Sequence, residues 1–316
     1  MSDYHRPLYY NEVTSDFLVK VLDVPIDSPS HREYVKMIVG EESVPMIAKD
    51  TLTSTSVRAA RFRIENDRAV LRKQIVDEMM QKPRLVDDEQ VKLGIGGARP
   101  LSIRVNSERK AFYIMGLPAS GKSSICGSVC DTYGAYLLDS DLVKRKLPEY
   151  SRKSGAMVVH EESSIITMGG YFLDNPFVSL MQLCYESGYN ICIPKIGSNL
   201  RSITKMFNIL RECGYSIYVV LMSLDRKVAT QRAFSRFLKT KRYIPLSMIF
   251  DGYANDPILC YYRLRKYFEE NGNKLFDEMA AISSDVPNGQ PMKILDMAFA
   301  GPNLLKILQN IKAKTV

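Results

Sequence analysis

Residues 116–123, with the sequence GLPASGKS, have the residue types and spacing of a phosphate-binding loop. In the pattern G-x-x-x-x-G-K-[ST], backbone N–H groups close around phosphate oxygens, the lysine reaches the terminal phosphates and the hydroxyl ligates magnesium. The apolar run 111–115 precedes the loop with the length of a strand, and residues 124–132 can continue as a helix. A strand-to-helix turn that contains Gly-Lys-Ser by chance is the alternative. The flanking elements favour a phosphate-binding α/β domain.

Each residue of the loop receives a role from the motif. Lys122 is predicted to reach the terminal phosphates, and the hydroxyl of Ser123 is predicted to bind Mg²⁺. The helix that begins at Lys122 would direct its N-terminal amides at the same anion. The other loop residues expected to contact the phosphates are small: Gly116, Ala119, Ser120, Gly121 and Ser124.

The elements that must position this loop form a regular series. Strand-like apolar runs alternate with helical stretches beyond position 116, which predicts a mostly parallel sheet flanked by helices. Ligands of such sheets bind at the carboxyl ends of the strands, so the residues that end or follow each run are the candidates for chemistry. The predicted strand runs after the loop are 135–139, 190–194, 216–222 and 293–297.

Two carboxylates, Asp139 and Asp141, stand at the end of the run 135–139. Such a pair suits a kinase, in which one carboxylate orients magnesium through water and the other accepts the proton of the attacking hydroxyl. We predict that Asp141 is the catalytic base. Asp139 is a candidate substrate-binding residue that could also help to orient the magnesium ion. Both residues also suit the N-terminus of the following helix, where aspartate is a good cap.

A basic run follows the strand 216–222. Arg232 and Arg236 stand four residues apart and would share one face of a helix, with Arg242 in the loop beyond it. An arginine-rich helix and loop are typical of a lid that clamps the transferring phosphate. A solvated basic helix is the alternative, and Asp225 is predicted to cap the start of this helix.

Two further segments carry candidate substrate contacts. The cluster HEESS at 160–164 lacks the second histidine of H-E-x-x-H, and the chain contains only three histidines, so a zinc hydrolase is disfavoured. Glu162 is a candidate substrate contact, with a solvated helix face as the alternative. Lys195 follows the run 190–194 and is a candidate for binding substrate phosphate or sugar, with a basic turn as the alternative.

The N-terminal part of the chain differs from the middle. Residues 9–22 and 31–39 carry apolar side chains at helical spacing, and we interpret 1–60 as a helical accessory region. Residues 61–316 are interpreted as the catalytic domain. The amphipathic segment 61–80 is predicted to form a helix that lies on the sheet before its first strand, and the glycine-rich segment 94–100 is predicted to be a plain loop.

Composition narrows the class of protein. The chain of 316 residues has 46% hydrophobic and 25% charged residues, so a large folded core is expected. The net charge of +8 favours anionic ligands such as nucleotides, nucleotide sugars or nucleic acid. Six cysteines without a C-x-x-C pair indicate reduced thiols rather than disulfides or zinc ligands. No signal sequence or membrane-spanning run is recognisable, so we expect a cytoplasmic protein that does not act on membranes.

Six short motifs occur in a fixed order: GLPASGKS at 116–123, LDSD at 138–141, HEES at 160–163, GYNI at 188–191, GY at 214–215 and RYIP at 242–245. In this order and spacing the chain resembles the zeta-toxin family of P-loop kinases over residues 61–245. The resemblance implies an α/β fold of the P-loop NTPase type, and the small helical N-terminal region 1–60 lies outside it. It also implies the use of ATP and Mg²⁺ and phosphorylation of UDP-N-acetylglucosamine on its sugar 3′-hydroxyl. An antitoxin protein is the implied partner.

The resemblance also implies roles for individual residues. Lys122 acts with the phosphate loop, Asp141 is the base, and Glu162 is a substrate contact. Arg236 and Arg242 are the phosphate clamps, although Arg232 competes with Arg236 for the first of these roles.

The sequence departs from the family pattern at Lys195, where well-known members place an acidic residue in the substrate pocket. NAD or another nucleotide with a free ribose hydroxyl is therefore an alternative acceptor. A polynucleotide 5′-kinase and a non-catalytic nucleotide-binding module are further alternatives, with nucleic acid the less favoured partner.

Overall fold

The computed structural model describes residues 5–43, 49–101, 104–152, 154–169, 177–272, 275–309 and 311–313. Six strands form one sheet in these residues: β1 (Lys110–Gly116), β2 (Tyr136–Leu137), β3 (Ile191–Lys195), β4 (Ser216–Ser223), β5 (Glu278–Ser283) and β6 (Lys293–Phe299). Their order across the sheet is β2-β3-β1-β4-β5-β6. The phosphate-loop strand β1 therefore lies between β3 and β4.

Parallel pairing dominates the sheet, because every pair except β5–β6 is parallel. The central strands are almost continuously apolar and buried, as in the sequence IYVVLM within β4, which is the pattern of strands covered on both faces. The predicted mostly parallel sheet with flanking helices is confirmed. The carboxyl ends of β1, β2, β3 and β4 consequently meet at one edge of the sheet.

The sheet differs from the prediction at both of its edge strands and at one interior strand. Strand β5 was not predicted, although its four residues 279–282 are apolar and completely buried. The predicted run 293–297 corresponds to β6, which is antiparallel to β5. Residues 284–292 connect the two strands without a helix, and a parallel crossover needs about a dozen residues or more. Only Tyr136–Leu137 of the run 135–139 forms ladder pairs.

Helices cover both faces of the sheet. Within α9, the buried side chains Ile203, Phe207 and Leu210 are spaced four and three residues apart, which is the pattern of a helix with one face on the core. The helices are, in chain order, α1 (Asn11–Lys20), α2 (His31–Glu42), α3 (Glu65–Gln81), α4 (Lys122–Tyr133), α5 (Ser140–Lys146), α6 (Gly155–Val158), α7 (His160–Met168), α8 (Leu180–Ser187), α9 (Leu200–Glu212), α10 (Arg226–Thr240), α11 (Asp256–Asn271) and α12 (Pro302–Leu308).

The N-terminal segment forms the two predicted helices, α1 and α2, which pack on α10. We call the shared apolar contacts the N-terminal cluster; it includes Phe17 and Leu18 of α1, Phe234 and Phe237 of α10, and Leu117 of the phosphate loop. The ring of Tyr34 meets that of Phe234 edge to face, with centroids 5.2 Å apart. The segment thus covers the side of α10 that faces away from the sheet's main core, whose buried residues form a separate cluster.

Helix α3 meets the sheet near its C-terminal end, where Tyr136 of β2 donates a hydrogen bond to the carbonyl oxygen of Met80 at 3.0 Å, but its larger contacts are with other helices and not with the sheet as predicted. Its neighbours are α5, α7 and α8, although its apolar residues Leu71, Ile75 and Met79 do join the main core. The reason is that Arg68 and Arg72 on the same helix are buried, and buried guanidinium groups require carboxylate partners. Those partners come from α7 and from the turn Pro148–Ser151.

Candidate active site

The phosphate loop turns sharply from β1 into α4. Gly116 has φ of +153°, and a Cβ atom there would lie 2.5 Å from the carbonyl oxygen of Met222 in β4. Gly121, the residue before α4, has φ of +90°, and Ala119 has φ of +60° although it carries a side chain. The two glycines of the motif therefore stand where the backbone needs them. The loop as a whole has the curled backbone that exposes N–H groups to an anion.

Lys122 folds back across this loop. Its Nζ donates hydrogen bonds to the carbonyl oxygens of Gly116 and Leu117, both at 2.7 Å. Burial lowers the pKa of Lys122 to about 8. A partly buried ammonium whose hydrogen bonds go to carbonyl oxygens would gain a stronger partner in a phosphate oxygen, which is the role that the motif assigns to it.

The serines of the loop differ in how far they are buried. Ser120 is fully buried, and its carbonyl oxygen accepts a hydrogen bond from Ser284 at the end of β5 (2.8 Å). Ser124 contributes a backbone N–H that donates to Gly121 (3.2 Å). Ser123 is exposed in the first turn of α4. No group of three acidic, histidine or cysteine side chains that could hold a metal ion occurs among the described residues. An exposed hydroxyl beside a phosphate site fits Mg²⁺, which usually takes few protein ligands together with substrate phosphates.

Asp139 and Asp141 lie at the start of α5, immediately after β2. Asp139 caps the helix, because its carboxylate accepts a hydrogen bond from the backbone N–H of Asp141 at 2.9 Å. The side chain of Asp141 is 38% exposed and pairs with Lys144 at 2.9 Å and with Arg242. The cap that the sequence offered as an alternative is therefore made by Asp139, while the carboxylate of Asp141 faces two cations.

The two carboxylates have opposite pKa shifts. Burial, reinforced by the charge of Asp141, raises the pKa of Asp139. For Asp141, burial opposes ionisation, but Lys144 and then Arg242 outweigh it and hold the pKa well below its ordinary value. Neighbouring carboxylates with separated pKa values are typical of acid and base assignments in active sites. Asp141 is held in its ionised form and can accept a proton once the cations around it find another anion.

Arginines surround the same carboxylate. The guanidinium of Arg242 also donates to Glu89 (3.3 Å), and Glu89 accepts a second hydrogen bond from Arg145 (3.2 Å). The Nε of Arg236 is buried and has no hydrogen-bond partner among the described residues. Burial, followed by the charge of Arg242, lowers the pKa of Arg236. Among the described residues the guanidinium of Arg236 has no ion-pair partner, as expected of a phosphate clamp before its substrate binds.

Arg145 was not predicted from the sequence. It lies four residues after Asp141, on the same turn face of α5, and its side chain is only 3% exposed. The i, i+4 spacing from Asp141 is the feature of the sequence that could have indicated Arg145 as a site residue. Glu89 gave no signal at all, since its contacts are with residues far away along the chain.

Arg232 has a different place from the one predicted. Its guanidinium donates to the hydroxyl and to the carbonyl oxygen of Ser284, at 2.8 and 2.9 Å. Because Ser284 in turn donates to Ser120, Arg232 braces the phosphate loop rather than contacting an acceptor. Between the two competing arginines, Arg236 is the one whose guanidinium has no such partner among the described residues, which favours Arg236 over Arg232 for the clamp. The predicted helix cap by Asp225 is confirmed, since its carboxylate accepts from Lys227 and Val228.

Glu162 is also corrected. Its side chain is 0% exposed, and both oxygens accept hydrogen bonds from Arg68 on α3, at 2.8 and 2.6 Å. Arg72 donates to the same carboxylate at 2.7 Å, and Arg68 also pairs with Glu149 at 2.9 Å. A completely buried carboxylate with both oxygens engaged is not available to a substrate. Glu162 instead joins α7 to α3.

Lys195 lies at the carboxyl end of β3, opposite Met115 of β1. The next residue, Ile196, accepts a hydrogen bond from the backbone N–H of Gly116 (3.1 Å), so the lysine stands directly beside the phosphate loop. The side chain is partly buried and lies within electrostatic range of Asp139, Lys144 and Asp141. The structure therefore brings Lys195 to the candidate site.

Comparison with known proteins agrees with this geometry. Residues 101–256 match the sequence model of the zeta toxin family. The matched range includes the phosphate loop, Asp141, Lys195, Arg236 and Arg242. Zeta toxins are P-loop kinase-like toxins.

A solved structure of the PezAT chromosomal toxin-antitoxin system of the human pathogen Streptococcus pneumoniae is also similar. Its sequence is 12% identical, and the TM-score is 0.42, over 58% of this chain and 70% of that chain. A search of curated proteins found no match. No helix in the described parts of the chain is long and apolar enough to cross a membrane.

Proposed function

We propose that this protein is a kinase that uses ATP and Mg²⁺ to phosphorylate a hydroxyl of a nucleotide-type acceptor. The first candidate acceptor is UDP-N-acetylglucosamine, at the 3′-hydroxyl of its sugar. One observation carries the proposal: the phosphate loop, an ionised aspartate and an unpaired arginine meet at one edge of the sheet. Lys122, Asp141 and Arg236 lie within electrostatic range of one another.

The proposed mechanism assigns binding to the loop and proton transfer to α5. The loop amides and Lys122 bind the triphosphate. Ser123 would hold Mg²⁺, which would supply neutralisation of the phosphate charge. Asp141 accepts the proton from the acceptor hydroxyl as the hydroxyl oxygen bonds to the γ-phosphorus, while the bond from that phosphorus to the bridging oxygen of the β-phosphate breaks and ADP leaves. Arg236 and Arg242 stabilise the equatorial oxygens of the transferring group. Positioning and electrostatic stabilisation supply most of the catalysis in reactions of this type.

Lys195 favours a second candidate acceptor. The resemblance to zeta toxins implies an acidic residue in the substrate pocket at this place, where this chain has a lysine. A dinucleotide such as NAD, phosphorylated on a ribose hydroxyl, would bring phosphate groups to that lysine. A polynucleotide 5′-kinase shares the same loop and chemistry and is distinguished from these by its acceptor.

The zeta toxin match is also the reason to propose an antitoxin protein as partner. We place the activity in the cytoplasm, because the six cysteines are free and five of them are buried, as in proteins of reducing compartments.

The decisive experiment offers the protein Mg²⁺ and ATP together with a panel of acceptors. UDP-N-acetylglucosamine, other UDP-sugars, NAD, nucleosides and a short RNA with a 5′-hydroxyl are incubated separately, and products are analysed by mass spectrometry. We expect one acceptor class to gain about 80 Da, the mass of a transferred phosphoryl group, and the Lys122→Ala variant to give no product. ATP binding without product or ADP release for any acceptor would contradict the kinase and indicate a nucleotide-binding module.

A further inference from the structure

We propose that Glu42 of α2 and Tyr243 position the clamp residue Arg242, so that the N-terminal helices take part in phosphoryl transfer. The proposal rests on the kinase function above and adds two positioning residues to it. It also gives a role to the N-terminal region, which the sequence indicates only as an accessory segment.

The clamp residue Arg242 lies in an irregular part of the chain. Residues 241–245 form neither helix nor strand and lead from α10 towards the helical turn Met248–Tyr253. The backbone N–H of Arg242 donates only to the hydroxyl of Thr240, at 3.3 Å. A segment with few backbone hydrogen bonds has low local stability, so side-chain contacts must hold it in place.

Glu42 supplies such a contact from the end of α2. Its side chain is buried, and its carboxylate accepts a hydrogen bond from the hydroxyl of Tyr243. Burial raises the pKa of Glu42, whereas hydrogen bonds from Tyr243 and from the backbone N–H of Leu246 favour the ionised form. The ring of Tyr243 also meets that of Phe237 on α10 edge to face, with centroids 5.0 Å apart. A buried carboxylate requires its donors, so this contact has a defined geometry.

The residues around Tyr243 transmit this contact to the clamp. Pro245 fixes its own φ and disfavours helical backbone at Ile244, which stiffens the segment. Arg242 precedes Tyr243 directly, and its guanidinium pairs with Asp141 on α5. Fixing the position of Tyr243 therefore fixes the backbone from which the clamp guanidinium extends.

Other N-terminal residues hold the next part of the same segment. The ring Nδ1 of His5 lies 3.1 Å from the hydroxyl oxygen of Ser247, within hydrogen-bond distance. The backbone N–H of Arg6 donates to the carboxylate of Asp251 at 3.2 Å. Leu246 is completely buried and belongs to the N-terminal cluster. These contacts secure the chain that follows the clamp, and all of them involve the N-terminal region.

The position of Arg242 matters for the reaction because a clamp acts at short range. Its guanidinium must reach the equatorial oxygens of the transferring group, and displacements of about 1 Å can cost a factor of about 10² in rate. Removing the hydroxyl of Tyr243 would take a donor from Glu42 and loosen the segment. The loss should appear in kcat rather than in KM for ATP, because the clamp contact is made mainly in the transition state.

The Tyr243→Phe variant tests the contact, because it removes the hydroxyl and keeps the ring. For whichever acceptor is phosphorylated, we expect kcat to fall about tenfold or more, with KM for ATP changed less than about twofold. Glu42→Leu should act similarly, and the double variant should be no slower than the single variants, since both break one hydrogen bond. Glu42→Gln keeps an acceptor oxygen and should recover part of the loss. Tyr34→Phe is the matched control, because it removes a hydroxyl while its ring stays on Phe234 in the same cluster.

A protein without the clamp guanidinium separates positioning from general stability. In the Arg242→Gln background, Tyr243→Phe should cause no further loss of kcat, whereas a merely structural contact would cost the same in both backgrounds. Amide hydrogen exchange of residues 242–253 provides a readout that does not need kinase activity. We expect faster exchange there in Tyr243→Phe and unchanged exchange in α11.

Two results would overturn the positioning role. One is a full further loss of kcat from Tyr243→Phe in the Arg242→Gln background, and the other is unchanged exchange of residues 242–253 in a folded Tyr243→Phe protein. Faster exchange in a protein that phosphorylates no acceptor would support the positioning contact and contradict the kinase, so the two failures are distinguishable.

Discussion

The guanidinium of Arg242 donates a hydrogen bond to the carboxylate of Asp141, which connects the loop after α10 to the start of α5. The proposed clamp and the proposed base are thus paired with each other in the free protein. A phosphoryl group that takes over Arg242 would remove a positive charge from beside Asp141, and its pKa would rise. Phosphate binding and activation of the base are coupled by this one contact.

The Asp141→Asn variant should bind ATP normally but turn over slowly. If Asp141 is the base, the barrier should rise by roughly 2 to 4 kcal/mol, since general-base catalysis contributes factors of about 10² to 10⁴. Turnover is measured as ADP release in the presence of acceptor, and ATP affinity by calorimetry. Asp77→Asn, an exposed carboxylate paired with Lys73 on α3, is the control. Unchanged turnover in Asp141→Asn would remove the assigned role.

Glu89→Gln should strengthen nucleotide binding. Glu89 pairs with Arg145 and Arg242, so its charge competes with phosphate oxygens for the clamp. Its side chain is 42% exposed, and exposed ion pairs contribute only about 0.2 to 1 kcal/mol, so ATP affinity should increase by at most about fivefold.

The matched control for that variant is Glu269→Gln, since Glu269 is a similarly exposed carboxylate paired with Arg265 on α11. High salt should reduce the difference between Glu89→Gln and the unmodified protein, because it screens exposed charges. Weaker ATP binding by Glu89→Gln would instead mean that Glu89 holds Arg242 in its productive position.

ATP binding near pH 8 should take up a proton at Lys122. The pKa of this residue is lowered to about 8 in the free protein, and phosphate oxygens favour the charged ammonium, so binding raises the pKa again. Affinity should therefore fall as the pH rises from 7 to 9. Calorimetry at pH 8 in two buffers with different ionisation enthalpies measures the uptake. Lys122→Arg should show none, and a buffer-independent enthalpy in the unmodified protein would contradict the prediction.

Glu162→Gln should destabilise the fold. Removing this charge leaves Arg68 and Arg72 short of a partner in a buried place, and breaking a buried ion pair costs about 3 to 5 kcal/mol. Urea unfolding measures the loss, with the exposed neighbour Glu161 changed to Gln as the control. A loss of ATP or acceptor binding at full stability would restore the substrate role that the sequence suggested.

Glu162 should also contribute to the loss of stability at acid pH. Burial opposes ionisation of Glu162, but hydrogen bonds from Arg68 lower its pKa to about 2. A carboxyl group with a pKa depressed in the folded state stabilises the protein above its ordinary pKa of 4.5. That contribution is lost as the pH falls from 4.5 towards 2. Glu162→Gln should therefore lose less stability than the unmodified protein across this range.

Local patterns in the sequence were sufficient for the phosphate loop and its flanking elements. The loop at 116–123 is defined by glycines, a lysine and a hydroxyl whose places depend on neighbours along the chain. The cap formed by Asp225 is equally local. Alternation of apolar runs with helices then indicated the parallel sheet, because each unit of such a fold is continuous in sequence.

Contacts between residues far apart along the chain could not be predicted from the sequence. Glu162 was interpreted as a substrate contact because nothing near it reveals Arg68, whose partner position is 94 residues away. Arg232 and Arg236 share a helix face, and only the place of Ser284 at the end of β5 separates their roles. Since β5 itself is not predicted from the sequence, the different roles of Arg232 and Arg236 could not be predicted either.

The N-terminal cluster has a thermodynamic consequence. Leu117, inside the phosphate loop, belongs to the same apolar cluster as Phe17 and Leu18 of α1. Displacing α1 and α2 from α10 would remove support from the backbone around Leu117, so nucleotide affinity and docking of these helices should depend on each other. Linkage makes such a dependence reciprocal. A protein that bound the N-terminal helices would change the affinity for ATP, and saturating ATP would change the affinity for that protein by the same factor.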